Sequence, residues 1–173
     1  MKKTAGLAAL TAAMVLTIAP AMAQDAPTST GISLRVGAFF PNDAFAKDQS
    51  KTWFAIGVQY KVSELTQFSK DNYKADLAVS FDYYERSGFR ISPLLVNYVG
   101  HLGENLFYTG GVGIAFTRFP AGSGFDSETK FAYTIGVGYN VTKGKQPIFV
   151  EGKFFGNETK EYNGFGLYAG IRF

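Results

Sequence analysis

The 173-residue sequence predicts an all-β chain that closes as an eight-stranded antiparallel up-and-down transmembrane β-barrel. Three observations carry this. Apolar residues recur with a period of two, in segments of about ten residues separated by turn residues. The alternate positions of those segments are rich in Gly, Ser and Thr, the reverse of a soluble sheet whose polar face meets water. Aromatic residues also return near both ends of the large-residue face, and the sequence closes on one of them, Phe173.

The N-terminus reads as a signal peptide. Met1-Lys2-Lys3 is a basic head, an apolar stretch runs from about Ala5 to Ala19, and Ala21-Met22-Ala23 is a small-x-small cleavage pattern. The stretch is short and rich in Ala and Thr, which disfavours a spanning anchor. Cleavage after Ala23 removes two lysines and no acids, leaving 150 residues with a formal charge of +1. A near-neutral chain is not an electrostatic nucleic-acid binder. With no cysteine, an exported fold must be stable without disulfides. The domain organisation is therefore a signal peptide (1–23), a polar leader "QDAPTST" (24–30) and one barrel domain (31–173).

The expected strands are about 31–40, 51–62, 73–84, 88–99, 105–118, 129–142, 147–155 and 163–173. In the first, Arg35 falls on the inner parity and Phe40 on the outer. In the second, Gln59 and Lys61 point in while Phe54 and Tyr60 point out. The third alternates Tyr73, Ala75, Leu77, Val79, Phe81 and Tyr83 with Lys74, Asp76, Ala78, Ser80, Asp82 and Tyr84. The fourth, "FRISPLLVNYV", is ambiguous in parity, and its Pro93 marks a bulge or kink. The fifth carries "FYTGGVGIAF". The sixth is the cleanest, with Phe131, Tyr133, Ile135, Val137, Tyr139 and Val141 on one face. The seventh places Glu151 and Lys153 inward and Phe154 outward. The eighth sets Phe165, Leu167, Ala169, Ile171 and Phe173 against Gly164, Gly166, Tyr168, Gly170 and Arg172.

On the outer parity Tyr73 goes with Phe81 and Tyr83, Tyr108 with Phe116, Phe131 with Tyr139, and Phe165 with Phe173. Eight residues at ~3.3 Å each, tilted by ~40°, rise about 20 Å, close to the ~25 Å apolar band between two aromatic girdles. Phe40, Phe54 and Phe154 extend one girdle, Tyr60 and Tyr98 the other. Aromatic preference for strands explains their number but not this recurrence. With the N-terminus periplasmic, "PNDAFAKDQS" (41–50), "ERSG" (85–88), "PAGSGFDSE" (120–128) and "GNETKEYN" (156–163) face outward, and "SELTQFSKDN" (63–72), "GHLGEN" (100–105) and "KGKQ" (143–146) face inward. The 63–72 connection is longer than an inner turn needs.

With these strands in place, the chain resembles the small eight-stranded outer-membrane barrels of the OmpA-transmembrane-domain and OmpX type. The "FYTGGVGIAF" strand (107–116) and the terminal strand carry the likeness, which covers essentially the whole mature chain. Tyr168 stands where the family pattern often has Gly. The resemblance implies a structural anchor in the bacterial outer membrane, with Phe173 and Ile171 as the C-terminal signal read during insertion. It implies outer-membrane lipid, lipopolysaccharide and the barrel-assembly machinery as partners, and no cofactor.

Inner parity collects Arg35, Lys61, Lys74, Asp76, Asp82, Glu151, Lys153 and Arg172. Charges in a confined interior need partners. The expectation is one network of ion pairs, joined by Gln59, Asn140 and Tyr168, that closes the lumen. Catalysis finds little support. The one histidine, His101, reads as an exposed residue of an inner turn, with no His/Ser/acid arrangement around it. Asp43, Asp48, Asp126 and Glu128 lack calcium-loop spacing. Asn140-Val141-Thr142 and Asn157-Glu158-Thr159 are chance glycosylation triplets, and Gly110–Gly113 precedes no helix that would cradle phosphate. Phe45 and Phe125, in the longest outer loops, are candidate surface contacts. Two alternatives have different sequence requirements. An OmpW-like barrel passing a small hydrophobic molecule needs a continuous apolar inner track. A soluble lipocalin-like barrel needs the large apolar face inside.

Overall fold

The computed structural model describes residues 30–173 except 43–46, 48–49, 70–72, 122–123, 145 and 159–161. The signal peptide, the leader up to residue 29, Asp43, Phe45, Asp48 and Thr159 lie outside the described residues. Among those described, strands β1 (Ile32–Pro41), β2 (Trp53–Glu64), β3 (Tyr73–Arg86), β4 (Phe89–Leu102), β5 (Leu106–Ala121), β6 (Gly124–Asn140), β7 (Ile148–Asn157) and β8 (Gly164–Arg172) follow in order. Each pairs antiparallel with its sequence neighbours, and β1 with β8, so the sheet is a closed barrel with no free edge around its wall. Closure runs to the last residue. Phe173 N donates to Ile32 O (2.8 Å), and Phe173 O accepts from Gly31 N (3.1 Å).

The end of the barrel at Thr30 and Phe173 is here the inner end, and the opposite one the outer end. At the outer end β3 and β4 turn through Ser87 and Gly88, both at positive φ (52° and 89°). Two left-handed residues make the tight hairpin whose twist matches the strands. At the inner end the 63–72 connection is shorter than the sequence suggested. β2 runs to Glu64 with a register shift between Lys61 and Ser63, and Thr66–Phe68 form one 3-10 turn.

Two expectations need correction. Of the 120–128 segment, residues 120–121 and 124–128 are strand rather than loop. β5 and β6 continue as a hairpin ribbon whose pairing reaches Ala121↔Gly124, beyond the point where β6 leaves β7 at Ala132↔Asn157. The fourth strand is also longer than 88–99 and has a definite parity. Phe89, Ile91, Leu95, Asn97 and Val99 are buried on the inner side, while Leu94 and Val96 are exposed outside. Pro93 interrupts the β3–β4 ladder, which breaks between Phe81↔Leu94 and Tyr84↔Ile91, since proline has no N–H to donate.

Outside, the surface is apolar at mid-strand. Val112 is 55% exposed and Ile135 65%. The girdle residues lie on this outer parity. Near the inner end Tyr73 hydrogen-bonds Tyr98 and, at 2.7 Å, Tyr108, with Tyr139 receiving a bond from Asn105 (3.1 Å). Near the outer end Phe165 stands opposite Phe40 on one side and Phe154 on the other.

Candidate functional site

The interior is layered, and the layers follow from which side chains register places side by side. Arg35 on β1 and Asp82 on β3 are separated by β2, and the residue between them in both ladders is Gly57. A Cβ at Gly57 would sit 2.8 Å from Arg35 Nε and collide with the Asp82 carboxylate. Glycine there lets the two charges meet across an intervening strand. Arg35 donates from Nε to Asp82 Oδ1 (2.8 Å) and from Nη2 to Oδ2 (2.9 Å), the bidentate geometry that guanidinium and carboxylate favour. Lys153 Nζ donates to Asp82 Oδ2 (2.8 Å). Arg35 Nη1 reaches Glu151 Oε2 (3.5 Å) and Gln59 Oε1 (3.4 Å), and Thr109 donates to Glu151 Oε1 (3.3 Å).

Two cations and two anions thus form a cluster of zero formal charge, whose ion-paired side chains are at most 2% exposed. Tyr84 and Tyr168 hydrogen-bond each other beside it, and the Arg35 guanidinium lies 5.7 Å from the Tyr168 ring.

Toward the outer end an apolar plug covers this cluster. Phe39 stacks on Tyr84 at 4.5 Å, edges onto Trp53 (5.9 Å) and Phe155 (6.3 Å), and Trp53 leads to Phe89 (5.8 Å). Tyr162, just before β8, completes the plug against Phe89 (6.1 Å) and Phe119 (6.2 Å). It does so at φ 61°, a left-handed conformation costing a non-glycine residue about 1–2 kcal/mol. Toward the inner end Ala78, Val99, Phe107 and Phe149 form a second apolar layer. Glycines make room for these rings as well, since a Cβ at Gly138 would overlap Phe107 and one at Gly170 would overlap Phe149. The inner face is therefore not simply polar and charged, as its parity suggested.

Below the second layer lies an inner mouth, a cavity of ≈ 760 Å³ lined by Lys74, Asp76, His101, Glu104, Asn140 and Lys143 among others. Lys61 Nζ is 2.7 Å from Asp76 Oδ1, and His101 Nε2 is 3.1 Å from Asp76 Oδ2. His101 is thus a half-buried residue of β4 facing inward, not an exposed turn residue. Arg172 lies over the Phe107 and Phe149 rings (4.2 and 4.8 Å) and donates to Asn140 Oδ1 (2.6 Å). Lys74 is exposed at the rim, opposite His101 in register. In the adjoining turns Lys143 lies 2.8 Å from Glu104 and holds its carboxyl below the ordinary carboxylate value.

Of the eight charged residues of inner parity, the structure brings Arg35, Asp82, Glu151 and Lys153 into one cluster and Lys61 and Asp76 into another. The Ala78/Val99/Phe107/Phe149 layer lies between, with Arg172 on its inner side. The single network expected from parity is two. The sequence reading missed the plug residues Phe39, Trp53, Phe89, Phe155 and Tyr162. The signal for Phe89 was a fourth segment apolar at both parities, and for Phe39, Trp53 and Phe155 an aromatic at each parity in Phe39-Phe40, Trp53-Phe54 and Phe154-Phe155. Asp76 with His101 is an acid–base pair. The side chain that completes Asp76's contacts is a lysine, Lys61, rather than a hydroxyl nucleophile.

No family model and no curated protein matches the chain. Among solved structures it is similar to the N-terminal β-barrel domain of Pseudomonas aeruginosa OprF, with a TM-score of 0.49 and 16% identity over 84% of this chain and 100% of that one. It is also similar to the outer membrane enzyme PagL, with a TM-score of 0.48 and 14% identity over 81% of this chain and 97% of that one.

Proposed function

We propose that the chain is an integral outer-membrane barrel acting as a structural anchor, with a closed lumen and an outer end that does any recognising. One observation carries the reading, the inverted distribution of polarity. Outward apolar residues such as Val112, Ile135, Val137 and Leu167 are more than half exposed, while Arg35, Asp82, Glu151 and Lys153 are at most 4% exposed within. Lipid accommodates such an exterior; water does not. A lipocalin-like barrel would reverse it. The OmpW-like alternative needs an unbroken apolar track, and the charged cluster divides the two apolar layers. Ile171 and Phe173, on the outward parity of the closing strand, serve in this reading as the insertion signal. The chain is read as non-enzymatic, because Asp76, the partner of His101, is joined by Lys61 rather than by a hydroxyl.

The reading is tested by gel mobility of the outer-membrane fraction in SDS, unboiled against boiled, and by conductance in planar bilayers. A band that shifts on boiling, with no large single-channel conductance, is the expected result. Recovery of the protein in the soluble periplasm would sink the membrane assignment, and a large steady conductance would sink the closed lumen.

A further inference from the structure

Register builds a second polar arrangement, this time on the outside of the wall. Four strands, β3 to β6, place Phe81, Leu94, Ile114 and Phe131 side by side in one outward row. Two residues along each strand toward the outer end, Ser92, Phe116 and Thr129 align, with Tyr83 at the matching position of β3. Two residues further comes the row Glu85↔Arg90↔Arg118↔Ser127. The outward surface thus passes from wholly apolar, through an aromatic border, to a pair of arginines. Each step of two residues rises about 5 Å along the axis at this strand spacing and tilt.

Arg90 and Arg118 are direct cross-strand partners. Like charges so placed destabilise a sheet unless an anion joins them. Glu85, the carboxylate of that row, is bound by the Tyr83 hydroxyl. On the ribbon, Asp126 and Glu128 have the opposite parity to Ser127, and Glu128 is paired with Lys130 (2.7 Å). The Nε of Arg90 is shielded from solvent and has no hydrogen-bond partner among the described residues. Both guanidiniums are held by rings, Arg90 over Tyr83 (5.2 Å) and Arg118 over Phe125 (4.0 Å). Rings position the planes, and the Tyr83 hydroxyl also bonds the Arg90 guanidinium, which leaves its remaining N–H groups and those of Arg118 for a ligand.

We propose that Arg90 and Arg118 form a binding site for the phosphate group of an anionic membrane lipid at the outer edge of the apolar band. A phosphate offers the oxygens that two guanidinium forks require, and it neutralises the opposed charges. Tyr83 and Phe116 lie under the same lipid, at the depth where headgroup gives way to acyl chain. The site rests on the membrane reading above and adds a specific ligand chemistry to it.

The test is native mass spectrometry of the purified full-length barrel in detergent, titrated separately with bisphosphorylated lipid A, phosphate-free lipid A, phosphatidylglycerol and inorganic phosphate. The expected result is a lipid A adduct at least tenfold weaker without the phosphates, and weakened at least tenfold by Arg90→Gln with Arg118→Gln. Each single Gln variant falls between, as does the double Lys variant, which keeps charge but loses the fork. Phosphatidylglycerol held as well as lipid A supports the site and assigns it to phospholipid; preference for lipid A assigns it to the glycolipid. Unchanged lipid A binding in the double Gln variant overturns the proposal, as does inorganic phosphate binding as tightly as lipid. Variants are compared only as their unboiled, fast-migrating form, so loss of folding is not read as loss of a ligand. A barrel that inserts but ignores phosphate defeats this site alone, whereas a soluble protein defeats the membrane reading itself.

Discussion

Gly57 shows how one residue can create a site to which it contributes no side chain. Its inner-facing hydrogen leaves the gap through which Arg35 and Asp82 pair across β2. Asp82 is the hub, since both Arg35 and Lys153 donate to it. Removing one member of a buried ion cluster strands the rest, at about 3–5 kcal/mol, whereas replacing a pair by apolar groups of similar volume is often neutral. Asp82→Asn is therefore expected to lower stability by about 3–5 kcal/mol. The double change Arg35→Met with Asp82→Leu leaves Lys153 to Glu151 and recovers part of the loss. Trp53, the chain's one tryptophan, is buried in the plug beside the cluster and reports unfolding by its fluorescence in urea. A midpoint unmoved by Asp82→Asn would show that the cluster does not hold the barrel together.

At the scale of the element, β4 and the β5–β6 ribbon depart most from a regular pattern. β4 buries Phe89, Ile91, Leu95 and Val99 inside and exposes Leu94 and Val96 outside. Period-two alternation cannot orient a strand that is apolar at both parities. The ribbon is anchored differently from the wall. Past Ala132↔Asn157, β6 keeps its ladder to β5 but not to β7, and its residues 124–129 are exposed. Replacing residues 120–125 by Asn-Gly should therefore preserve the barrel. It keeps Phe119 against Tyr162 and supplies the favoured two-residue turn. The expected result is an unchanged heat-dependent gel shift and a thermal transition within a few degrees of the parent. A collapse of the shifted band would show that the ribbon stabilises the wall.

At the scale of the molecule the question is which face meets which solvent. Val112 lies midway between Tyr108 and Phe116, and Ile135 midway between Phe131 and Tyr139. Arginine at the midplane of a lipid-facing strand costs about 2–4 kcal/mol. On the water-facing surface of a soluble barrel the same change stays within about 0.5 kcal/mol. Ile135→Arg, measured by reversible unfolding from lipid vesicles, should show the larger cost. A near-zero effect would place this face in water. The same reasoning makes the interior layers intelligible. The wall seals them from the surrounding medium, the Phe39/Trp53/Tyr162 plug covers the charges at one end, and Phe107 with Phe149 covers them at the other.

The eight strands, their antiparallel closure and the outward direction of the apolar residues were legible in the sequence alone. Alternation is a local property, visible wherever one parity is apolar and the other small, as in β6 from Phe131 to Tyr139. The polar partners were legible only as a set. That Arg35 meets Asp82 over Gly57, while Asp76 turns to Lys61 and His101, depends on register between strands and on the stagger that closes the barrel. Neither is written in any one strand. The parity of β4, the extension of β5 and β6 into a ribbon, and the opposition of Arg90 to Arg118 were likewise decided only when neighbouring strands were paired. Side-chain alternation tells each strand which way to face, but only pairing tells it which residue it faces.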